Sequence, residues 1–180
     1  MIRLKEDLEF NSYIRKICLP TETNKKPDKW FGQSINLVGY GAVRNVDETN
    51  PLRSAKLEIV EHAYCIGQHD IGKLLPNVGS QILTNFPGDP LIMENQMCAA
   101  VDGVGVDAGS CAGDSGSPAL KKDYGRNVFY QVGILHGSVG TCSAAIFPTV
   151  FTRLDDPGIM EFVAGALKGG NTGELNLFSQ

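Results

Sequence analysis

Apolar residues in this chain come in short runs, broken every few positions by glycine, proline or a polar turn, and this segmentation limits what it can become. Residues 54–60, SAKLEIV, show it best: Ala55, Leu57 and Ile59 alternate with Lys56 and Glu58. A period of two turns one set of side chains to a core and the other to water, which describes a half-buried strand. INLVGYG at 35–41 reads as another strand closed by two glycines, and NVFYQVGILH at 127–136 with TVFTRL at 149–154 as two buried strands around the loop between them. Ile2 and Leu4 read as the end of a further strand, leading by a polar turn into the apolar segment 17–20. With 21 glycines among 180 residues, long helices are disfavoured and the chain reads as mostly β.

Two helical segments are expected. Glu61–Gln68 makes a short turn held short by Gly67 and Gly72, with loop-like sequence over 69–96 broken by Pro76, Pro87 and Pro90. After Asp155 and Asp156, Pro157 suits a first helical turn, and Ile159, Phe162, Val163 and Leu167 would form one apolar face. The tail at 169–180 reads as flexible.

The length suits one domain with a sizeable core. No apolar run approaches the roughly 20 residues of a membrane-spanning helix, so no membrane partner is expected. A net charge of −4 with scattered Lys and Arg gives no basic stripe, so no nucleic-acid partner is expected. Cys18, Cys65, Cys98, Cys111 and Cys142 are far apart and contain no C-x-x-C pair. That favours disulfides in an oxidising compartment over a metal site, and leaves one cysteine over. The N-terminus is charged and lacks the apolar core of a signal peptide.

The motifs narrow the chemistry. Gly103, Gly105 and Ala108 match a dinucleotide fingerprint in letters only, because Gly109, Cys111 and Gly113 forbid the helix that must follow. Neither this segment nor any other calls for a cofactor. Ser117 stands where the nucleophile elbow of α/β-hydrolases needs glycine. Among the histidines, His62 and His69 flank a short helix and read as structural, and His136 reads as lining a cleft, not as a base.

The segment CAGDSGSP at 111–118 resembles the nucleophile loop of chymotrypsin-like (trypsin-like) serine proteases. Further segments resemble that family in the same order: IRLKEDLEFNSYIRKICLP at 2–20 its interdomain segment, LVGYG at 37–41 the strand entering its second barrel, and GILHGSVGTC with PTVFTRL its pocket wall and last strand. The resemblance implies an interdomain segment at 1–20, a six-stranded antiparallel barrel with a C-terminal helix at 21–168, and a tail at 169–180. The first barrel would be largely missing.

It also implies roles. Ser115 would be the nucleophile, and the N–H groups of Gly113 and Ser115 the oxyanion hole, with glycine at 113 and 116 allowing the turn. Asp114 would pair with the amino terminus released on zymogen cleavage. Gly109 would be the pocket floor, with Ser110, Ala112, His136, Gly137 and Thr149 also contacting substrate. Uncharged Gly109 and the shortening effect of Thr149 imply a preference for small to medium apolar side chains. Cys111 would pair with Cys142 and Cys65 with Cys98, while Cys18 would bond to a missing N-terminal half or light chain. The protein would be secreted and act on peptides or proteins. Leu135-His136-Gly137 departs from the family's Ser-Trp-Gly, removing a hydroxyl that supports the triad aspartate.

A serine hydroxyl needs a positioned base. The family's T-A-A-H-C and D-I-A-L segments are absent from these 180 residues, and the first residues resemble the part of the latter that follows its aspartate. A serine endopeptidase that is incomplete and inactive alone is therefore expected. The alternative is a non-catalytic homologue serving as a binding or regulatory module.

Overall fold

The computed structural model describes residues 4–20, 23, 26–42, 51–73, 92–101, 108–138, 142, 144–145 and 147–168. Six strands form a closed antiparallel barrel: β1 Ser34–Gly39, β2 Arg53–Val60, β3 Gln96–Ala100, β4 Pro118–Asp123, β5 Val128–Gly137 and β6 Thr149–Arg153. Their order around the barrel is β1-β2-β3-β6-β5-β4, and pairing of Asn36 with Leu120 and Leu37 with Ala119 closes it. This is the mostly β, six-stranded architecture expected of the chain.

The period-two pattern fills the barrel. Ile35 and Leu37 of β1 and Leu57 and Ile59 of β2 meet Met97, Ala99, Ala119, Val132, Leu135 and Phe151 in one buried cluster. The alternate residues of β3 and β6, Cys98 and Val150, point the other way into a second small cluster with Cys65 and Ile92. Cys65 belongs to α1 (His62–Lys73), and its disulfide to Cys98 staples that helix to the outside of the barrel. Closing a loop of this length contributes about 3 to 4 kcal/mol in the chain-entropy description.

Sequence and structure part at several places. Helix α1 runs through Gly67 and Gly72 to Lys73, beyond the short turn expected at Glu61–Gln68. The staple at Cys65 and a hydrogen bond from buried His69 Nε2 to the Pro148 carbonyl, at 3.2 Å, anchor it, so tertiary contacts outweigh glycine's propensity. Strand β3 begins inside the stretch read as loop-like, and its residues are buried on both faces. Helix α2 (Pro157–Lys168) starts where Pro157 places it, with Asp156 Oδ1 accepting from the N–H groups of Gly158 and Ile159 at 3.0 and 3.1 Å. Its apolar face is Met160, Val163 and Leu167 at i, i+3 and i+7 beside Ile159, whereas Phe162 is 62% exposed. The tail at 169–180 lies outside the described residues.

Below β6, Arg153 and Asp155 form a fully buried pair, Nε donating to Oδ1 at 3.0 Å, and Arg153 Nη1 donates to the Glu94 carbonyl at 3.0 Å. No helix among the described residues is long and apolar enough to cross a membrane.

Candidate active site

The segment 109–118 leaves the barrel core at Ser110, turns twice and re-enters as β4. Its turns close through N–H donation from Asp114 to the Cys111 carbonyl (3.1 Å) and from Ser117 to the Asp114 carbonyl (2.9 Å). Gly113 and Gly116, at φ 90° and 88°, occupy left-handed conformations that a side chain would strain. Two bonds tie the loop to β5: Gly116 N–H donates to the Leu135 carbonyl at 3.0 Å and Leu135 N–H to the Ser117 carbonyl at 2.8 Å. Ala42 N–H, donating to the Ala112 carbonyl at 2.8 Å, ties it to the segment after β1.

The anchor beneath the loop is the Asp114 carboxylate. It is buried, with Oδ1 accepting from Gly41 N–H at 2.8 Å and Oδ2 from Cys111 N–H at 3.0 Å. It fits because Gly39 and Gly41 lack side chains: a Cβ on either would collide with its oxygens. Among the described residues no cation lies within ion-pair distance of it. A cavity of about 230 Å³ opens beside it, lined by Gly39, Gly41, Arg53, Gly109 and Asp114 among others. The sequence reading missed Gly39 and Gly41, taking them only as strand terminators, because nothing local signals a partner 73 residues away.

With Asp114 held below, Ser115 stands exposed on the turn. The N–H groups of Cys111, Asp114, Gly116 and Ser117 are all bonded. Those of Ala112, Gly113 and Ser115, and the Ser115 hydroxyl, have no partner among the described residues. Donors fixed by the backbone and left unpaired can stabilise negative charge that develops on a reacting oxygen.

The other residues singled out from the sequence gather on the flanks. Ser110 and Thr149 are buried with their hydroxyl oxygens 3.4 Å apart, linking the loop to the start of β6. Gly109 is half-buried and Ala112 exposed. His136 is exposed on β5 where the register with β6 breaks between Leu135 and Gly137, and a Cβ at Gly137 would meet open space. Disulfide Cys111–Cys142 fastens the loop, and Cys18 is free and half-buried where it bridges Tyr130. Cys65, His69 and Cys98 crowd together as metal ligands would, but both sulfurs are taken by the disulfide.

Comparison with known proteins agrees with this geometry. The chain is similar to melanization protease 1 of Drosophila melanogaster, 28% identical over 158 residues, which covers 86% of this chain and 34% of that protein. It is 30% identical over 156 residues to transmembrane protease serine 9 of Rattus norvegicus, covering 86% of this chain and 12% of the relative. To a venom protease of Bombus pensylvanicus it is 27% identical over 169 residues, covering 93% and 59%. The chain thus spans only part of each of these relatives. The family model described as Trypsin matches residues 1–157, and the chain accordingly belongs to the trypsin family of serine proteases.

Proposed function

We propose that the chain carries the nucleophile and specificity elements of a secreted serine endopeptidase. Ser115 Oγ attacks the scissile carbonyl carbon, and the N–H groups of Gly113 and Ser115 receive the oxyanion. The general base and its orienting carboxylate come from residues outside these 180, so the chain alone is inactive. The observation that carries this reading is the pair of unpaired N–H groups at Gly113 and Ser115, on a loop whose carboxylate anchor is satisfied from below.

In the active protease the cavity beside Asp114 receives the ammonium of an amino terminus released by zymogen cleavage, giving the buried carboxylate its cation. Gly109 leaves the pocket floor uncharged, and the Ser110–Thr149 contact limits its depth. Ala112, His136 and Gly137 line the approach. The favoured residue before the cleaved bond is then small to medium and apolar. Cys18 bonds to the missing N-terminal half or light chain.

The test compares two proteins. The 180-residue chain should hydrolyse no peptide faster than its Ser115→Ala variant, and a burst of ester acylation lost in that variant would refute its inactivity. The chain extended through its upstream coding region and proteolytically activated should be labelled by an organophosphonate at Ser115, and should cleave after Ala or Val in preference to Lys or Arg. An extended, activated protein that takes no label would instead be a non-catalytic homologue that binds or regulates.

A further inference from the structure

Strand β2 carries one residue out of pattern. Its core-facing row runs Arg53, Ala55, Leu57 and Ile59, of which Leu57 and Ile59 are buried in the barrel and Ala55 packs against the same cluster. Arg53 heads that row at the exposed end of the strand. The position is an inward one in the pleat, yet it holds a charge, and it stands in the wall of the cavity beside Asp114. Among the described residues no hydrogen bond or ion pair engages the Arg53 side chain.

The cross-strand register points to a partner. Arg53 lies directly opposite Gly39 of β1. Side chains at directly opposed positions of an antiparallel pair leave the same face of the sheet, with Cβ atoms about 5 Å apart. Gly39 has no side chain, and the space is taken by the Asp114 carboxylate, which a Cβ there would strike at Oδ1. Arg53 and Asp114 thus hold neighbouring places on one face, a gap that the methylene stem and guanidinium of an arginine can span. The two oxygens of Asp114 each accept one backbone N–H, from Gly41 and from Cys111. A carboxylate offers about four lone-pair sites, so acceptor positions remain for a guanidinium.

We propose that Arg53 is an internal counter-ion for Asp114, turning its guanidinium into the cavity to pair with the carboxylate until an amino terminus released by cleavage displaces it. The displacement rests on the reading of this cavity as an ammonium site; the pairing does not. A change of rotamer is enough, because Arg53 is exposed and its strand need not move. One cation then replaces another beside the same buried carboxylate, which spares Asp114 the cost of standing alone before cleavage. The ammonium must outcompete Arg53, so this residue sets how readily cleavage takes effect.

The pairing is read first without ligand, on the 180-residue chain. Arg53→Gln should lower the urea midpoint by roughly 0.5 M, as loss of a pair with one exposed partner does, and Arg53→Lys should lower it less. Added salt should shrink the difference. In an Asp114→Asn background Arg53→Gln should change nothing. Slow exchange of the Arg53 Nε–H with water, followed by NMR and assigned through its loss in Arg53→Gln, reads the pair in the unaltered chain whether or not Asp114→Asn folds. Valylvaline amide, which carries a free amino group, should then restore fast exchange and bind Arg53→Gln about fivefold more tightly than the unaltered chain, while its N-acetyl form does neither. Fast exchange before peptide is added, an equal midpoint loss with and without Asp114, or equal peptide affinity for the two proteins would overturn the proposal. Peptide binding to neither protein would refute the ammonium reading of the cavity instead, and the ligand-free measurements would still decide the role of Arg53.

Discussion

Replacing Gly41 with alanine tests the central structural claim about the 111–118 loop. The backbone at Gly41 does not require glycine for its φ, so the added methyl acts through space alone. That space is occupied by the Asp114 carboxylate, which a Cβ at Gly41 would strike at Cγ and both oxygens. The carboxylate must leave, losing the bonds from Gly41 and Cys111 N–H. Hydrogen bonds to charged groups contribute about 1.5 to 3 kcal/mol each. Renewed hydration of the expelled carboxylate offsets part of that loss, leaving a net destabilisation of about 2 to 4 kcal/mol. At a urea slope of about 2 kcal/mol/M, the unfolding midpoint falls by about 1 to 2 M. Gly67→Ala is the control: no neighbour lies within 4 Å of its Cβ, and in α1 alanine should stabilise by up to about 1 kcal/mol. An unchanged midpoint for Gly41→Ala, or equal effects of the two substitutions, would refute the claim that Asp114 is held in a glycine cradle.

Other perturbations have equally definite outcomes. Asp155→Ala leaves the fully buried Arg153 guanidinium without its carboxylate and should cost about 3 to 5 kcal/mol, read by chemical denaturation; a loss below 1 kcal/mol would count against the pair's burial. Asp156→Ala removes the side-chain acceptor for two N–H groups at the start of α2 and should cost about 1 kcal/mol, with faster amide exchange at Gly158 and Ile159.

What could be read from the sequence follows from where each contact lies along the chain. β1 and β2 show alternation because one face of each meets the core and the other is less buried. β3 shows none, because Met97 and Ala99 face the barrel interior while Cys98 faces the cluster under α1. In β4 only Ala119 is buried among PALKKD, so its place rests on hydrogen bonds to β1 and β5 that no residue type announces. In α2, Phe162 resembles the core residues in kind, and only helical geometry relative to the barrel leaves it exposed and buries Met160.

The loop at 111–118 divides along the same line. Its turns depend on residues within a few positions of one another, so the glycines, the aspartate and the serine appear together as one readable word. Its anchorage depends on Gly39 and Gly41, which become part of the site only when β1 closes against β4. Ser115 thus has two kinds of support, one local and written in sequence, the other created by barrel closure. A substitution at Gly41, outside the loop, should therefore disturb the N–H groups of Gly113 and Ser115 while leaving every residue of the recognisable motif intact.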